Sequence, residues 1–221
     1  MWDKLYHSGK YKWTKPNKLV VNTVPLFKKR NVKRILDLAC GNGRHIVYLC
    51  KENFFVVGSD ISSIGLMQAQ EWLNKEGISN YSLIQNDMSE KLPFPDEHFD
   101  AVVSIQAIEH NKLAGLKKTV NEIRRVLKKG GFALVTILST KDHKFGIGRK
   151  LEKDTYLAGK TDLHHFFDEK GARELFSKFK IIKMEEIIEV LPKEAVVHSY
   201  IRRMVKEKMV KIIHWEIFAQ K

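Results

Sequence analysis

The sequence predicts a doubly wound α/β fold, with a mostly parallel seven-stranded sheet and an antiparallel edge strand near the C-terminus. Three observations predict it. From Arg34 onward, short apolar runs alternate with amphipathic stretches. Most of the early runs are apolar nearly throughout, as expected of parallel strands covered on both faces. The last two runs lack a clear long crossover helix between them, which suits a hairpin.

The elements follow in order. RILDLA (34–39) is a leucine and isoleucine run bounded by a glycine loop, hence the first buried strand, and RHIVYLCKE (44–52) continues as a helix. FFVVGSD (54–60) is the second strand. SSIGLMQAQEWLNKEG (62–77) is a helix opened by Ser62 or Ser63 and closed by Gly77. YSLIQND (81–87) and FDAVVSIQ (99–106) are the third and fourth strands. Residues 112–129 carry Leu113, Leu116, Val120, Ile123 and Leu127 on one helical stripe, ending at KKGG. FALVTIL (132–138) is the fifth strand, and DEKGARELFSKF (168–179) is a helix capped by Asp168. KIIKMEEIIEV (180–190) and KMVKIIHWEIFAQ (208–220) complete the seven strands, and the segment 192–208 between them is expected to be partly helical.

Composition bounds the class. A chain of 221 residues, 43% hydrophobic and 29% charged, can bury a sizeable core. With no Pro/Gly/Ser-rich linker and no repeat, a single domain over 1–221 is expected. No signal-peptide core follows Met1 and no apolar run has bilayer length, so the expected location is cytoplasmic, with no membrane partner. Cys40 and Cys50 are the two cysteines; neither belongs to a CxxC pair, so both are expected to be small buried apolar residues and no metal is expected. The formal charge of +13 is spread along the chain, denser in KYKWTKPNK, FGIGRKLEK and around YIRRMVKEK. It leaves a polyanionic partner open.

The glycine loop in LDLACGNGRH (36–45) narrows the ligand. A phosphate loop needs G-x-x-x-x-G-K-[ST], which is absent. A dinucleotide loop needs a small residue at the third glycine position, and Ile46 stands there. S-adenosylmethionine carries no pyrophosphate, and its amino-acid end can lie against backbone exposed by Gly41 and Gly43. Asp60, at the end of the second strand, is placed to accept ribose hydroxyls. Asp87 after the third strand lies where adenine would sit, with Met88 as its apolar neighbour.

With these residues the chain resembles the class I S-adenosylmethionine-dependent methyltransferases of the type 11/25 kind. The likeness runs from about Arg34 to the C-terminus through LDLACGNGRH, VVGSDIS, QNDMSEKLPFPDEHFDAVVS, AIEH and RRVLKKGGFALVTI. It implies a Rossmann-like sheet, with an N-terminal lid region at 1–30, a cofactor-binding half at 31–140 and a substrate side at 141–221. It also implies that Asp37 orients the methionine amino group. The backbone from Ala39 through Cys40 and Gly41 to Gly43 would contact the amino-acid moiety, with Asp60 and Ile61 at the ribose. Asp87 and Met88 would frame the adenine, and Ser104 to Gln106 would line the floor. Ala39 stands where many relatives have glycine.

Methyl transfer from a sulfonium is an in-line displacement that leaves S-adenosylhomocysteine, so the protein mainly supplies proximity, alignment and exclusion of water. The donor is therefore better specified than the acceptor. SIQAIEHN lacks the Asn/Asp-Pro-Pro-aromatic stretch of DNA and protein amide methyltransferases, and His110 is the acid/base candidate on that rim. The aromatics Trp2, Tyr6, Tyr11 and Trp13, and the region from Ser139 to Phe167, are candidate lids. His164 and His165 are adjacent on a strand and face opposite ways; His165 is taken as the one facing the substrate. WDKLYHSGKYKW loosely resembles the thiopurine and tellurite-resistance branches, which implies a small-molecule acceptor, anionic ones included, over nucleic acid. A monomer or homodimer is expected. An RNA methyltransferase and a non-catalytic binding subunit are the alternatives.

Overall fold

The computed structural model describes residues 1–9, 13–192, 202, 204, 206 and 208–221. Tyr11 and most of the expected helical segment 192–208, including most of YIRRMVKEK, lie outside the described residues. Two helices come first, α1 (Trp2–His7) and α2 (Lys18–Lys29). The alternating part then runs β1 (Arg34–Leu38), α3 (Arg44–Lys51), β2 (Phe55–Asp60), α4 (Ser63–Lys75), β3 (Tyr81–Gln85), β4 (Phe99–Ser104), α5 (Leu113–Val126) and β5 (Leu127–Ser139). It continues with β6 (Arg149–Glu152), β7 (Thr155–Ala158), β8 (Asp162–Phe167), α6 (Glu169–Leu175), β9 (Lys180–Pro192) and β10 (Met209–Gln220).

Strands β3-β2-β1-β4-β5 are parallel neighbours, and β10 pairs antiparallel with both β5 and β9. The seven expected strands and the closing hairpin are all present, with β10 between β5 and β9. Alternation along the strands sends their side chains to two cores. Ile35, Val56, Ala101, Val103 and Leu134 pack with α2, α3 and α4 on one face. Leu36, Val57, Val102, Ala133 and Val135 pack with α5 and α6 on the other. Both faces are covered, which is why the strands carry almost no polar residue in their centres.

Local chemistry sets the element ends. Ser62 caps α4, its Oγ accepting from Gly65 N at 3.0 Å, and Asp168 Oδ1 caps α6 by accepting from Gly171 N at 2.7 Å. The helix expected over 112–129 stops at Val126. Leu127 is already extended and pairs with Phe99, and the next pair is Ala101 with Phe132, so KKGG bulges out of the strand instead of ending the helix.

The region after β5, a candidate lid from the sequence, contains an antiparallel meander β6-β7-β8. The turn between β6 and β7 uses Asp154 at φ +56°. Strand β8 then joins β5 in parallel through Leu138↔Phe166 and Ser139↔Phe167. On its other side Leu138 pairs with His214 of β10, so β8 fills the lane that β4 leaves when it ends at Ser104. This placement carries the meander over the C-terminal ends of the parallel strands. No helix among the described residues is long and apolar enough to cross a membrane.

Candidate active site

The strand order reverses between β1 and β4, and the crevice beyond their C-terminal ends is where open α/β sheets take ligands. Three residues of the β1–α3 loop have left-handed backbone: Ala39 at φ +59°, Gly41 at +57° and Gly43 at +86°. Gly43 is the N-cap of α3, and a Cβ there would press on Ala69 of α4. A Cβ at Gly41 would run into the Tyr6 hydroxyl. Ile46 fits the helix–strand crossing because β2 offers Gly58 opposite it, where any Cβ would collide with the Ile46 side chain. The space saved at the third position of a dinucleotide loop is thus provided by the strand.

Asp60 ties this loop together. Its Oδ2 accepts from Gly41 N at 2.7 Å and its Oδ1 from Ser62 N at 2.8 Å. Burial outweighs these bonds and pushes its carboxyl up to about 6. Asp37 lies below the loop, 1% exposed, and its Oδ2 has no hydrogen-bond partner among the described residues. His45 Nε2 accepts from Asn17 N at 3.2 Å, which places its proton on Nδ1, 3.8 Å from Asp37 Oδ1. Burial lowers the pKa of His45, so the ring is neutral. An unmatched buried carboxylate oxygen asks for a donor such as an ammonium, and the glycine loop leaves backbone open beside it.

The N-terminus roofs the crevice. Asp3 Oδ1 accepts from Ser62 Oγ at 2.6 Å, and the Tyr6 carbonyl accepts from Gln68 Nε2 at 3.2 Å, docking α1 onto α4. Asn42 Nδ2 donates to the Trp13 carbonyl at 2.9 Å, and the Arg44 guanidinium lies over the Trp13 ring at 5.4 Å. Trp2, Tyr6 and Trp13 all line one cavity with Ala39, Cys40, Gly41, Asp60, Met88, Ile105 and Gln106. Beyond Gln106 the same cavity is lined by Glu109, His110, His143, Lys144, His164 and His214. Glu109 is 4% exposed, and its Oε2 has no hydrogen-bond partner among the described residues. Burial raises its carboxyl to about 7, against the opposing pull of Lys144 and His214.

Most residues singled out from the sequence converge here. Asp37, Ala39, Cys40, Gly41, Gly43 and Asp60 form the loop and its support, while Met88, Gln106 and His110 line the cavity. Ile61 is 46% exposed at the outer edge, its carbonyl accepting from Gln85 Nε2. Three others are placed apart from the cavity. Ser104 is fully buried and donates to the Leu38 carbonyl at 2.9 Å, so it braces β4 against β1 and does not line the floor. Asp87 does not line the cavity; its Oδ1 accepts from Ser89 N at 2.8 Å and Ser89 Oγ at 2.7 Å in a local turn. His165 turns away, its Nδ1 2.5 Å from Thr155 Oγ1, and alternation along β8 gives the cavity to His164. Sequence reasoning passed over Glu109, although it stands next to His110, and it had no means of bringing His214 of β10 to the site.

Residues 35–131 match the methyltransferase-domain family. Over 165 residues the chain is 26% identical to a tRNA N(3)-cytidine methyltransferase of Danio rerio, covering 71% of this chain and 47% of that protein. Over 120 residues it is 37% identical to a ubiquinone/menaquinone biosynthesis C-methyltransferase of Pseudomonas paraeruginosa, covering 51% and 44%. The chain thus spans less than half the length of either curated relative. In fold it is similar to the crystal structure of an S-adenosylmethionine-dependent methyltransferase from Methanosarcina mazei. The TM-score is 0.67 at 21% identity, covering 89% of this chain and 97% of that one.

Proposed function

We propose that this chain, which carries a class I S-adenosylmethionine-dependent methyltransferase domain over residues 35–131, methylates a small-molecule acceptor. The observation that carries the acceptor class is burial: Glu109, His164 and His214, beyond the glycine loop, are 4%, 3% and 2% exposed. An acceptor must be small enough to pass the Trp2–Tyr6–Trp13 roof to meet them.

In this reading Asp37 Oδ2 accepts from the amino group of S-adenosylmethionine, and the backbone of Ala39–Gly43 receives the carboxylate end. Asp60 accepts from the ribose hydroxyls, with Ile61 and Met88 beside the base. When bound, the cofactor supplies an electrophilic methyl on a sulfonium. The chain's own part is to align the acceptor, keep water out with the aromatic roof, and take a proton where the acceptor carries one. Glu109 is the residue that takes the proton, because its carboxyl, raised to about 7, exchanges one near neutral pH. His110, whose Nδ1 lies 3.0 Å from the Leu163 carbonyl, orients the neighbouring wall.

Labelled methyl donor incubated with the protein and a cell extract, split by size, tests the reading. Label in the fraction below about 1 kDa is expected. A second reading, RNA methylation, is favoured by the +13 charge and by the transfer-RNA methyltransferase relative. It expects label in RNA, with retention that falls steeply with salt, and that outcome would replace the small-molecule reading.

A further inference from the structure

Two histidines and one aspartate meet at the acceptor end of the cavity. Asp162 and His164 are two residues apart on β8 and therefore share a face, and that face meets His110 beyond the end of β4. One ligand-capable atom from each of the three lies within 4.8 Å of the others. His164 Nε2 is 3.6 Å from Asp162 Oδ1, and the His110 and His164 rings are 4.5 Å apart. All three side chains are nearly buried, at 8% for His110, 8% for Asp162 and 4% for His164.

We propose that His110, Asp162 and His164 bind one divalent transition-metal ion of the zinc class, with a coordination position left open toward the acceptor. Two imidazoles and a carboxylate are the donor set of open zinc sites and of other borderline divalent metals. In a tetrahedral site with bonds near 2.1 Å, donor atoms stand roughly 3.4 Å apart. The 3.6 Å between His164 Nε2 and Asp162 Oδ1 is within a few tenths of an ångström of that. His110 Nδ1 lies 3.0 Å from the Leu163 carbonyl and 4.0 Å from Asp162 Oδ1, so an ion held through Nε2 would leave Nδ1–H on the carbonyl, the second-shell arrangement found around metal-binding imidazoles. Burial holds the Asp162 carboxyl at about 6 even though Lys144 pulls the other way, so a dication there would offset the cost of its buried charge. The open position suits an oxygen or sulfur group of a small acceptor, and only that part rests on the proposed function. CxxC spacing carries no information about a histidine–carboxylate set of this kind.

The test uses the untagged full chain, stripped with a chelator and titrated with Co2+ and with Zn2+ by calorimetry and visible absorption. One ion per chain is expected, with Co2+ d–d bands, and a rise in Tm on adding Zn2+. His164→Ala and Asp162→Asn are expected to weaken binding by about 100-fold or more and to lose the bands. His165→Asn, altered on the opposite face of β8, is expected to bind as the parent does. Unfolding curves in chelator check that each variant is folded. Absence of saturable binding, or binding that survives both His164→Ala and Asp162→Asn, overturns the proposal. S-adenosylhomocysteine binding is measured on the same stripped samples; its failure would sink the methyltransferase reading and leave the metal result standing.

Discussion

Glu109→Gln isolates the cost of keeping a carboxyl inside the cavity. The carboxyl is 4% exposed, and burial raises its pKa from 4.5 to about 7. Below pH 4.5 it is protonated in both the folded and the unfolded chain. Between 4.5 and about 7 the folded chain keeps a proton that the unfolded chain has released, so its contribution to stability falls as pH rises. Above about 7 the whole penalty is present, about 3 kcal/mol at ~1.4 kcal/mol per pH decade. Glutamine has the same shape and does not titrate. Its buried amide brings a cost of its own, about 1–3 kcal/mol, but one that does not change with pH. The diagnostic quantity is therefore the variant-minus-parent difference at two pH values. Between pH 5 and pH 8.5 that difference should move in favour of the variant by about 2.5 kcal/mol. For a chain of this size that is a Tm shift of about 5–10 °C. Thermal unfolding followed by circular dichroism at both pH values measures it. Parallel melting curves, with the same variant effect at both pH values, would refute the assignment of Glu109 as a buried ionisable group.

Two further substitutions probe the frame that holds the site. Gly58→Ala puts a methyl against Ile46, Leu83 and Cys40 and should cost about 1–3 kcal/mol in urea unfolding, with partial recovery in Gly58→Ala/Ile46→Val; an additive double variant would contradict the crossing of α3 over β2. Arg125 donates to the carbonyls of Phe94 at 2.8 Å and Leu92 at 3.0 Å and pairs with Glu122 and Asp96. Arg125→Ala should cost about 2 kcal/mol, and a loss below about 0.5 kcal/mol would show that this network does not hold the 92–96 loop.

The parallel part of the sheet was readable because most of its strands are apolar runs and the loop after the first carries glycine. Asp60 was readable for a related reason, since a lone acid at the end of a buried strand is conspicuous. The β6-β7-β8 meander was not readable: β6 is charged and partly exposed, β7 is only four residues long, and the two form by pairing with each other beside β8. The choice between His164 and His165 depends on the phase of β8. That phase is set by the hairpin pairing Tyr156↔His164 and by the long-range pairing Leu138↔Phe166, neither of which the run TDLHHFF itself encodes. The family resemblance puts Ser104 on the floor, whereas the structure shows it buried at the end of β4 and bonded to the Leu38 carbonyl, a depth that no local pattern reveals. Glu109 escaped notice because a single acid in a loop has no periodicity; only its burial makes it unusual.

The central claim is that the loop from Ala39 to Gly43, held by Asp60 over Asp37, is a cofactor site. Calorimetric titration with S-adenosylhomocysteine tests it most directly, on the parent, Asp60→Ala and Asp37→Asn. One-to-one binding in the micromolar range is expected for the parent. Both variants should be at least about tenfold weaker, a loss of about 1.4 kcal/mol or more, while unfolding curves show that they remain folded. Binding that is unchanged in both folded variants, or absent from the parent, would contradict the claim.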